Sequence, residues 1–175
     1  MAETNEDEII QTHNDEEEDF SESFENESVV LHPEQSFDDS LKTHQQVKSS
    51  LLGSLVLLDR GHSKVNLLTT ANMVIDELGL VHSGFVFSSA DYAAATAVNE
   101  EHVVIIGART SFLAPAKVGD LIEFEAKSKF EDSRKREITV TGKINDIKIF
   151  EGIFHAVVLE KHIFKVKIKN AQREY

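Results

Sequence analysis

The sequence of 175 residues contains no cysteine and no tryptophan, and it has only two prolines. Without cysteine the chain can form no disulfide, no thiol nucleophile and no thiolate ligand for a metal ion. Its apolar runs stay well short of the ~18–20 residues that a membrane-spanning helix needs. The N-terminus also lacks the basic and then apolar pattern of a secretory signal. We therefore expect a cytoplasmic protein with no membrane span.

Motifs that mark metal, nucleotide and serine-hydrolase sites are missing as well. The eight histidines show neither H-x-x-x-H nor H-E-x-x-H spacing, so we expect no metal site. Neither G-x-x-x-x-G-K-[ST] nor G-x-G-x-x-G occurs, which argues against a nucleotide triphosphate or dinucleotide cofactor. G-x-S-x-G is absent too, so the pair His82-Ser83 does not indicate a serine hydrolase. We expect no cofactor.

Positive charge is scarce in the first part of the chain. Residues 1–50 hold 15 Asp and Glu but two Lys, whereas residues 51–175 hold 16 acidic and 16 basic residues. A segment this acidic and this poor in apolar residues is typical of disorder, so we predict a mostly disordered tail over 1–50. It is either a solubilising tail or a docking segment for a basic protein partner. Nucleic acid is excluded as its partner because phosphate repels it.

The remaining sequence predicts one domain over residues 51–165, followed by a basic C-terminal end over 166–175. Small and apolar residues without proline predict one slim helix of about four turns over 84–99. Alternating or β-branched runs predict strands around it. These are Leu55–Leu58, Val65–Thr70, His102–Gly107, Arg109–Leu113, Leu121–Phe130, Arg136–Ile144, Lys148–Leu159 and an edge strand in 161–175.

One helix followed by a run of strands favours an α+β fold in which a single antiparallel sheet wraps around one long central helix. Such a sheet keeps an open edge. Pairing that edge with a second copy would produce a symmetric homodimer with a continuous sheet. Dimers of this kind can associate further into higher oligomers.

The predicted helix carries one carboxylate, Asp91, in the stretch LVHSGFVFSSADYAAATAV. A carboxylate among apolar residues is costly to bury unless it has partners. Three explanations stay open for Asp91: catalysis, a polar structural contact, and ligand binding without turnover.

Two motifs around this helix resemble a known family. HSGFVFSSAD, followed by ARTSFLAPAKVGD, is similar to the motifs of hotdog-fold acyl-CoA thioesterases of the phenylacetate-pathway type. That family has His-Gly-Gly, six variable residues and Asp, and then a strand reading x-F-L-x-P-x-x-x-G-D. His82, Gly84 and Asp91 stand in register with the first motif, whereas Ser83 replaces its first glycine.

A second resemblance covers more of the chain, about Leu52 to Leu159. Here the sequence is similar to the effector domain of the malonyl-CoA-responsive repressor of fatty acid synthesis, a hotdog domain that senses acyl-CoA without cleaving it. That domain has Asn where this chain has Asp91, and its DNA-binding part is replaced here by the acidic tail. The organisation resembles a stand-alone hotdog protein of epsilon-class proteobacteria.

The resemblance implies a site between two subunits at the start of the helix. There, backbone N–H groups near Gly84 would hold the thioester oxygen. Asp91 would act as nucleophile or as general base for water. His82 would orient substrate, close the site by a hydrogen bond, or simply stand at the helix start with its side chain bonded to backbone. Ser83 would bind ligand or serve as the N-cap. Phe85 would line the acyl pocket.

Further ligand-binding candidates lie on the strand of Arg109, Thr110, Ser111 and Phe112. Arg109 would bind an acidic group of the ligand or pair with a carboxylate of the protein. The basic residues Arg134, Lys135 and Arg136 would hold CoA phosphates, remain solvated, or contact the acidic tail. Two functions stay open: hydrolysis of an acyl-CoA thioester, or non-catalytic binding of acyl-CoA in a sensing or scaffolding role.

Overall fold

The computed structural model describes residues 40–129 and 134–166. Their order is α1 Ser49–Leu52, β1 Ser54–Asp59, β2 His62–Leu68, a 3-10 turn Ala71–Met73, α2 Ser83–Val98, β3 Val103–Phe112, β4 Leu121–Lys129, β5 Lys135–Ile144, β6 Ile147–Val158 and a 3-10 turn Ile163–Lys165. In these ranges no helix has both the length and the apolar character needed to cross a bilayer.

The six strands form one antiparallel sheet in the order β1-β2-β4-β5-β6-β3. Helix α2 packs on this sheet, mainly against β2, β4 and β5. The α+β architecture, with one sheet around one long helix, is therefore confirmed. β1 and β3 are the two edges of the sheet.

The alanines of α2 bring the helix close to the sheet. Ala90, Ala93 and Ala97 are fully buried, since a short side chain lets the strands approach the helix backbone. One polar connection lies inside this packing. The Ser63 hydroxyl of β2 donates to the Ala93 carbonyl at 2.7 Å, and the Thr96 hydroxyl donates to Ser63 Oγ at 3.1 Å. β2 is thereby held against the middle of α2 without an unpaired hydroxyl.

Two turns between strands use left-handed backbone conformations. Asn145 and Asp146 join β5 to β6 with φ angles of 48° and 66°, as a two-residue hairpin turn requires. Before β4, Gly119 has a φ of 92°. The Asp120 carboxylate accepts the N–H of Lys117 at 2.7 Å and so closes this turn. The glycine and aspartate of the second motif are thus residues of a structural turn.

Some predictions needed correction. The runs His102–Gly107 and Arg109–Leu113 form one strand, β3, with a bulge between Ile105 and Gly107. The edge strand predicted in 161–175 is wrong for its described part, which forms the 3-10 turn Ile163–Lys165. There, His162 Nδ1 accepts the Phe164 N–H, which gives the backbone a local partner in place of a strand. Residues 1–39 of the predicted tail and 167–175 of the basic end lie outside the described residues.

Candidate functional site

The start of α2 is capped by histidine. His82 is the N-cap residue, and its Nδ1 accepts the Gly84 N–H at 2.8 Å. Ser83 is the first helical residue, so the alternative of Ser83 as N-cap is wrong. A Cβ at Gly84 would lie 2.7 Å from His82 Nδ1. Glycine therefore lets the imidazole approach the backbone, and a neutral ring in this position carries its proton on Nε2.

One side of α2 connects the N-cap with the Asp91 carboxylate. Gly84, Ser88 and Asp91 follow one another at intervals of four and three residues, which places them on one side of the helix. All three are partly buried, in contrast to the fully buried side that faces the sheet. The Ser88 hydroxyl donates to the Gly84 carbonyl at 2.8 Å. The Ser88 hydroxyl therefore forms its hydrogen bond within its own helix.

Asp91 has no hydrogen bond and no ion pair within the described part of the chain. Burial raises the pKa of its carboxyl above the ordinary value, and the nearby imidazole of His44 partly opposes this shift. A partly buried carboxylate with a raised pKa is a stronger base than an exposed aspartate. The motif residue thus has the electrostatic character of a functional group.

No sequence motif singles out His44, which precedes the predicted domain. Burial lowers the pKa of its imidazole, and the Asp91 carboxylate opposes that shift. Its Nδ1 lies 2.7 Å from the hydroxyl of Thr43, and its ring centroid is 6.2 Å from that of Tyr92. Since no spacing rule connects His44 with Asp91, only the folded structure brings the two residues together.

An apolar cavity of about 350 Å³ opens beside the first turn of α2. Phe112, which is 49% exposed, contributes its ring to the cavity and packs edge-on against Phe150 at 5.4 Å. The rest of the cavity wall comes from the first turn of α2, from residues 75–81 before this helix and from residues 113–116 after β3. Its lining residues are Ile75, Leu80, Val81, Ser83, Val86, Phe112, Leu113, Ala114, Pro115 and Ala116.

The predicted ligand-binding residues of β3 do not share one face of the sheet. Thr110 pairs with Gly152 and Phe112 with Phe150, and Gly152 and Phe150 belong to the helix-facing side. Arg109 and Ser111 line a separate groove of about 340 Å³. Because strand residues alternate between faces, this groove lies on the side of the sheet that faces away from α2. The structure thus separates Arg109 and Ser111 from Asp91.

The basic residues lie at the far end of their strand from the cavity. Lys135 pairs with Val157, whereas Gly142, seven residues further along β5, pairs with Phe150 next to Phe112. Seven strand residues span about 23 Å. Arg134 forms an ion pair with Glu160. Within one chain, Arg134, Lys135 and Arg136 are therefore not brought together with the start of α2.

Phe85 is partly buried and packs edge-on against the His82 ring at 6.4 Å. Phe85 thus lies at the start of α2, but it is not among the residues that line the apolar cavity, where it was expected. Over 40–129 and 134–166, no three His, Asp or Glu side chains are grouped so that they could hold a metal ion.

Comparison with known proteins identifies relatives over most of this region. A model of the thioesterase superfamily matches residues 78–145. The chain is similar to the structure of a sigma28-regulated virulence protein from Campylobacter jejuni, with 40% identity and a TM-score of 0.70, over 71% of this chain and 89% of that one. It is also similar to that of an uncharacterized protein from Pyrococcus horikoshii, with 39% identity and a TM-score of 0.70, over 71% and 96% of the two chains.

Curated relatives match over a smaller share of their own length. The chain is 40% identical to methylthioribose-1-phosphate isomerase of Aquifex aeolicus over 119 residues, which is 68% of this chain and 26% of that protein. It is 23% identical to transcription factor FapR of Thermoanaerobacter sp. over 129 residues, which is 71% of this chain and 64% of that protein. The chain thus spans about a quarter of the isomerase and less than two thirds of FapR.

More distant structures share the fold alone. PaaI of E. coli, from the phenylacetic acid degradation operon, is 20% identical with a TM-score of 0.57, over 62% of this chain and 80% of that one. A hypothetical thioesterase from Streptococcus pneumoniae is 13% identical with a TM-score of 0.57, over 62% and 87% of the two chains. The family resemblance drawn from the sequence is confirmed by the match to the thioesterase superfamily model and by the relatives of about 40% identity.

Proposed function

This chain belongs to the thioesterase superfamily and has its hotdog fold, and on that premise we propose that it binds an acyl-CoA between two copies of itself and hydrolyses the thioester. In this proposal Asp91 is the general base that activates water. Acyl-CoA is the substrate, and no further cofactor takes part. We place the reaction in the cytoplasm, where acyl-CoA is made and used.

The observation that carries the proposal is the environment of Asp91. The family motif puts a carboxylate on a helix that is otherwise small and apolar, and burial raises the pKa of that carboxyl. No hydrogen-bond donor of the described residues compensates it. Energetically costly ionisable groups are concentrated where they are used. A catalytic use of Asp91 is thus better supported than a structural one.

Distances along α2 support a site made by two chains. Asp91 follows Gly84 by seven residues, which is about 10 Å along a helix axis. A base and an oxyanion donor must both reach one carbonyl group, within about 3 Å of the reacting atoms. Asp91 and the helix start of the same chain are too far apart for this. We therefore propose that Asp91 of one copy works with the start of α2 of the other.

The apolar cavity beside the first turn of α2 fits an acyl group. Its wall is formed mainly by apolar side chains such as Val86, Phe112 and Leu113, and the helix N-terminus next to it favours negative charge on a bound oxygen. The distantly similar Streptococcus pneumoniae structure was solved with coenzyme A. The cavity suits the acyl group of any thioester, and the coenzyme A of that structure favours an acyl-CoA as the substrate.

The proposed step balances as an ordinary hydrolysis. Asp91 takes a proton from water, and the hydroxide oxygen forms a bond with the thioester carbon. The carbonyl oxygen becomes negative and is stabilised at the start of α2. The carbon–sulfur bond then breaks, and the thiolate leaves and takes up the proton from Asp91. The products are a carboxylic acid and free CoA thiol.

One observation favours the second candidate, a module that binds acyl-CoA without cleaving it. The Gly84 N–H, which would hold the oxyanion, already donates to His82 Nδ1. Turnover would require the His82 ring to swing away or to donate through Nε2 in its place. The similarity to FapR, a transcription factor, is compatible with a binding role. The predicted protein partner of the acidic tail belongs to this alternative.

Thiol release from acyl-CoAs of short to long chain length tests the proposal. We expect turnover by the wild type and a loss of about 100-fold or more in Asp91→Asn, as for removal of a general base. Asp146→Asn is the matched control, because it makes the same chemical change in the β5–β6 turn, where Asn also tolerates positive φ.

Undiminished turnover in Asp91→Asn would refute the role of Asp91. If the wild type releases no thiol while the same acyl-CoAs raise its melting temperature, the protein binds without hydrolysis.

A further inference from the structure

The apolar cavity beside the first turn of α2 has a wall in which two chain segments are joined. Residues 75–81 lead into α2, and residues 113–116 follow β3. The Val81 N–H donates to the Ala116 carbonyl at 2.9 Å, and Leu80 forms an antiparallel bridge with Lys117. Because these backbone contacts hold the two segments together, the shape of the cavity is largely set before a ligand enters.

The lining of this cavity, as far as the structure describes the chain, carries no charge. Ser83 has the one polar side chain among the lining residues. Two charged residues that stand next to the lining in sequence have other contacts. The Asp76 carboxylate accepts two N–H groups within its own turn, each at 3.0 Å, and the Lys117 side chain lies along Gly79. A ligand carboxylate in the cavity would therefore find one hydroxyl and no cation among the described residues.

Arg109, the strand residue suggested for an acidic group of the ligand, cannot supply that cation. It pairs with Ile153 across β3 and β6 and lines the separate groove on the side of the sheet that faces away from α2. The sheet itself stands between this guanidinium and the cavity. A second copy that continued the sheet at its edge would have its own arginine on the same outer face. Dimerisation of that kind therefore does not bring the cation inside.

We propose that the acyl group taken by this cavity is an uncharged hydrocarbon chain, and that acyl groups ending in a carboxylate are excluded. This inference rests on the proposed function and names its substrate class. Burial of each methylene in an apolar cavity is favourable, whereas a carboxylate there loses its hydration without gaining an ion pair. The positive end of the α2 dipole does not offset this loss, because the thioester oxygen occupies that position in the proposed site.

Binding of short acyl-CoAs tests this selectivity without turnover. Titration calorimetry uses Asp91→Asn, which should not hydrolyse the ligand and which lacks the carboxylate that would repel an acidic acyl group. We expect butyryl-CoA to bind about 10-fold more tightly than malonyl-CoA, which is of similar length but ends in a carboxylate. Lengthening the chain from butyryl to hexanoyl should strengthen binding about fourfold per methylene. Equal or tighter binding of malonyl-CoA would overturn the inference.

Two leucines make the test specific to the cavity. Leu113 lines the cavity, whereas Leu121 at the start of β4 does not, although the two are similarly exposed, at 50% and 46%. In the Asp91→Asn background, Leu113→Arg places a cation in the lining. It should shift the affinity ratio of the two ligands about 10-fold toward malonyl-CoA.

Leu121→Arg is the matched control and should leave the ratio unchanged, since attraction to the CoA phosphates acts on both ligands alike. An unchanged ratio in a folded Leu113→Arg variant would mean that the acyl group lies elsewhere, which contradicts the inference.

The outcomes separate this inference from the proposed function. If the wild type hydrolyses no acyl-CoA but Asp91→Asn prefers butyryl-CoA, the catalytic proposal fails and the selectivity stands. If the wild type hydrolyses malonyl-CoA faster than butyryl-CoA, the thioesterase function stands and the selectivity fails. Acyl-CoAs that bind no more tightly than free CoA would show that the cavity does not hold the acyl group, and the selectivity would fail in that case too.

Discussion

At the scale of single residues, Asp91 links stability to function. Folding raises the pKa of its carboxyl, so the folded state binds this proton more tightly than the unfolded chain does. The stabilising contribution of the proton is therefore present below the unfolded-state pKa and is lost as the pH rises through the folded-state pKa. At neutral pH the ionised carboxylate is a destabilising group.

We therefore predict that Asp91→Asn raises the free energy of unfolding at pH 8, by an amount that shrinks as the pH falls below the folded-state pKa of Asp91. Urea unfolding of wild type and variant at a series of pH values measures this difference. A destabilised variant at pH 8 would mean that the carboxylate makes a structural contact, which is the alternative left open by the sequence.

The residues of the site were only partly predictable from the sequence. The family motif identified His82, Gly84 and Asp91, because all three belong to one helix and its N-cap and therefore keep a fixed spacing in the sequence. Period-two alternation could also have shown that Arg109 and Ser111 face away from Phe112, although the prediction grouped them together. His44 carried no such signal, because its position depends on how residues 40–48 fold back onto Asn99 at the end of α2.

At the scale of elements, the chain folds as its patterns indicate. Alternating apolar residues predicted the strands, and the proline-free run of small residues predicted α2, because local periodicity dictates which face is buried. The bulge in β3 was read as a break between two strands, since a bulge interrupts the alternation without ending the pairing. The 3-10 turn Ile163–Lys165 was missed because a local side-chain cap outweighs an apolar alternation that has no neighbouring strand.

The turn before β4 provides a clean test of backbone conformation. A Cβ added at Gly119 or at Gly107 meets no atom within 4 Å, but Gly119 has a φ of +92° and Gly107 does not have a positive φ. We predict that Gly119→Ala lowers the free energy of unfolding by about 1–3 kcal/mol. Gly107→Ala should change it by less than about 0.5 kcal/mol.

Denaturant unfolding of both variants and of the wild type measures the two changes in the free energy of unfolding. Equal effects at the two positions would contradict the conformational explanation, since the space around each glycine is the same.

At the scale of the whole molecule, the proposed site needs a second chain. β3 is an edge of the sheet and carries exposed apolar side chains, among them Ile106 at 59% and Phe112 at 49%. An uncovered edge strand of this kind is a natural place for another copy to pair. The continuous-sheet dimer and any higher oligomer remain predictions.

We predict that two inactive variants restore each other's activity. Gly84→Val should block the helix start, and Asp91→Asn removes the base. After the two are unfolded and refolded together in equal amounts, about a quarter of wild-type activity should return. Half of randomly formed dimers are mixed, and each mixed dimer contains one intact site.

Thiol release from the refolded mixture, compared with each variant refolded alone, measures this recovery. A mixture no more active than its components, although analytical ultracentrifugation shows dimers, would mean that each site lies within one chain.

The position of β3 also has a consequence for how the chain reaches its fold. The strands β4, β5 and β6 follow one another as hairpins, whereas Val103 of β3 must find Val158 near the end of β6. Contacts between residues so distant in sequence form late, because closing a long loop costs entropy before any pairing compensates it. The free edge of β6 is therefore covered late in folding, as is the edge of β4, whose partner β2 is also distant in sequence. Until its own β3 docks, β6 can accept the β3 strand of a neighbouring chain. The yield of correctly refolded protein should therefore decrease as the protein concentration rises.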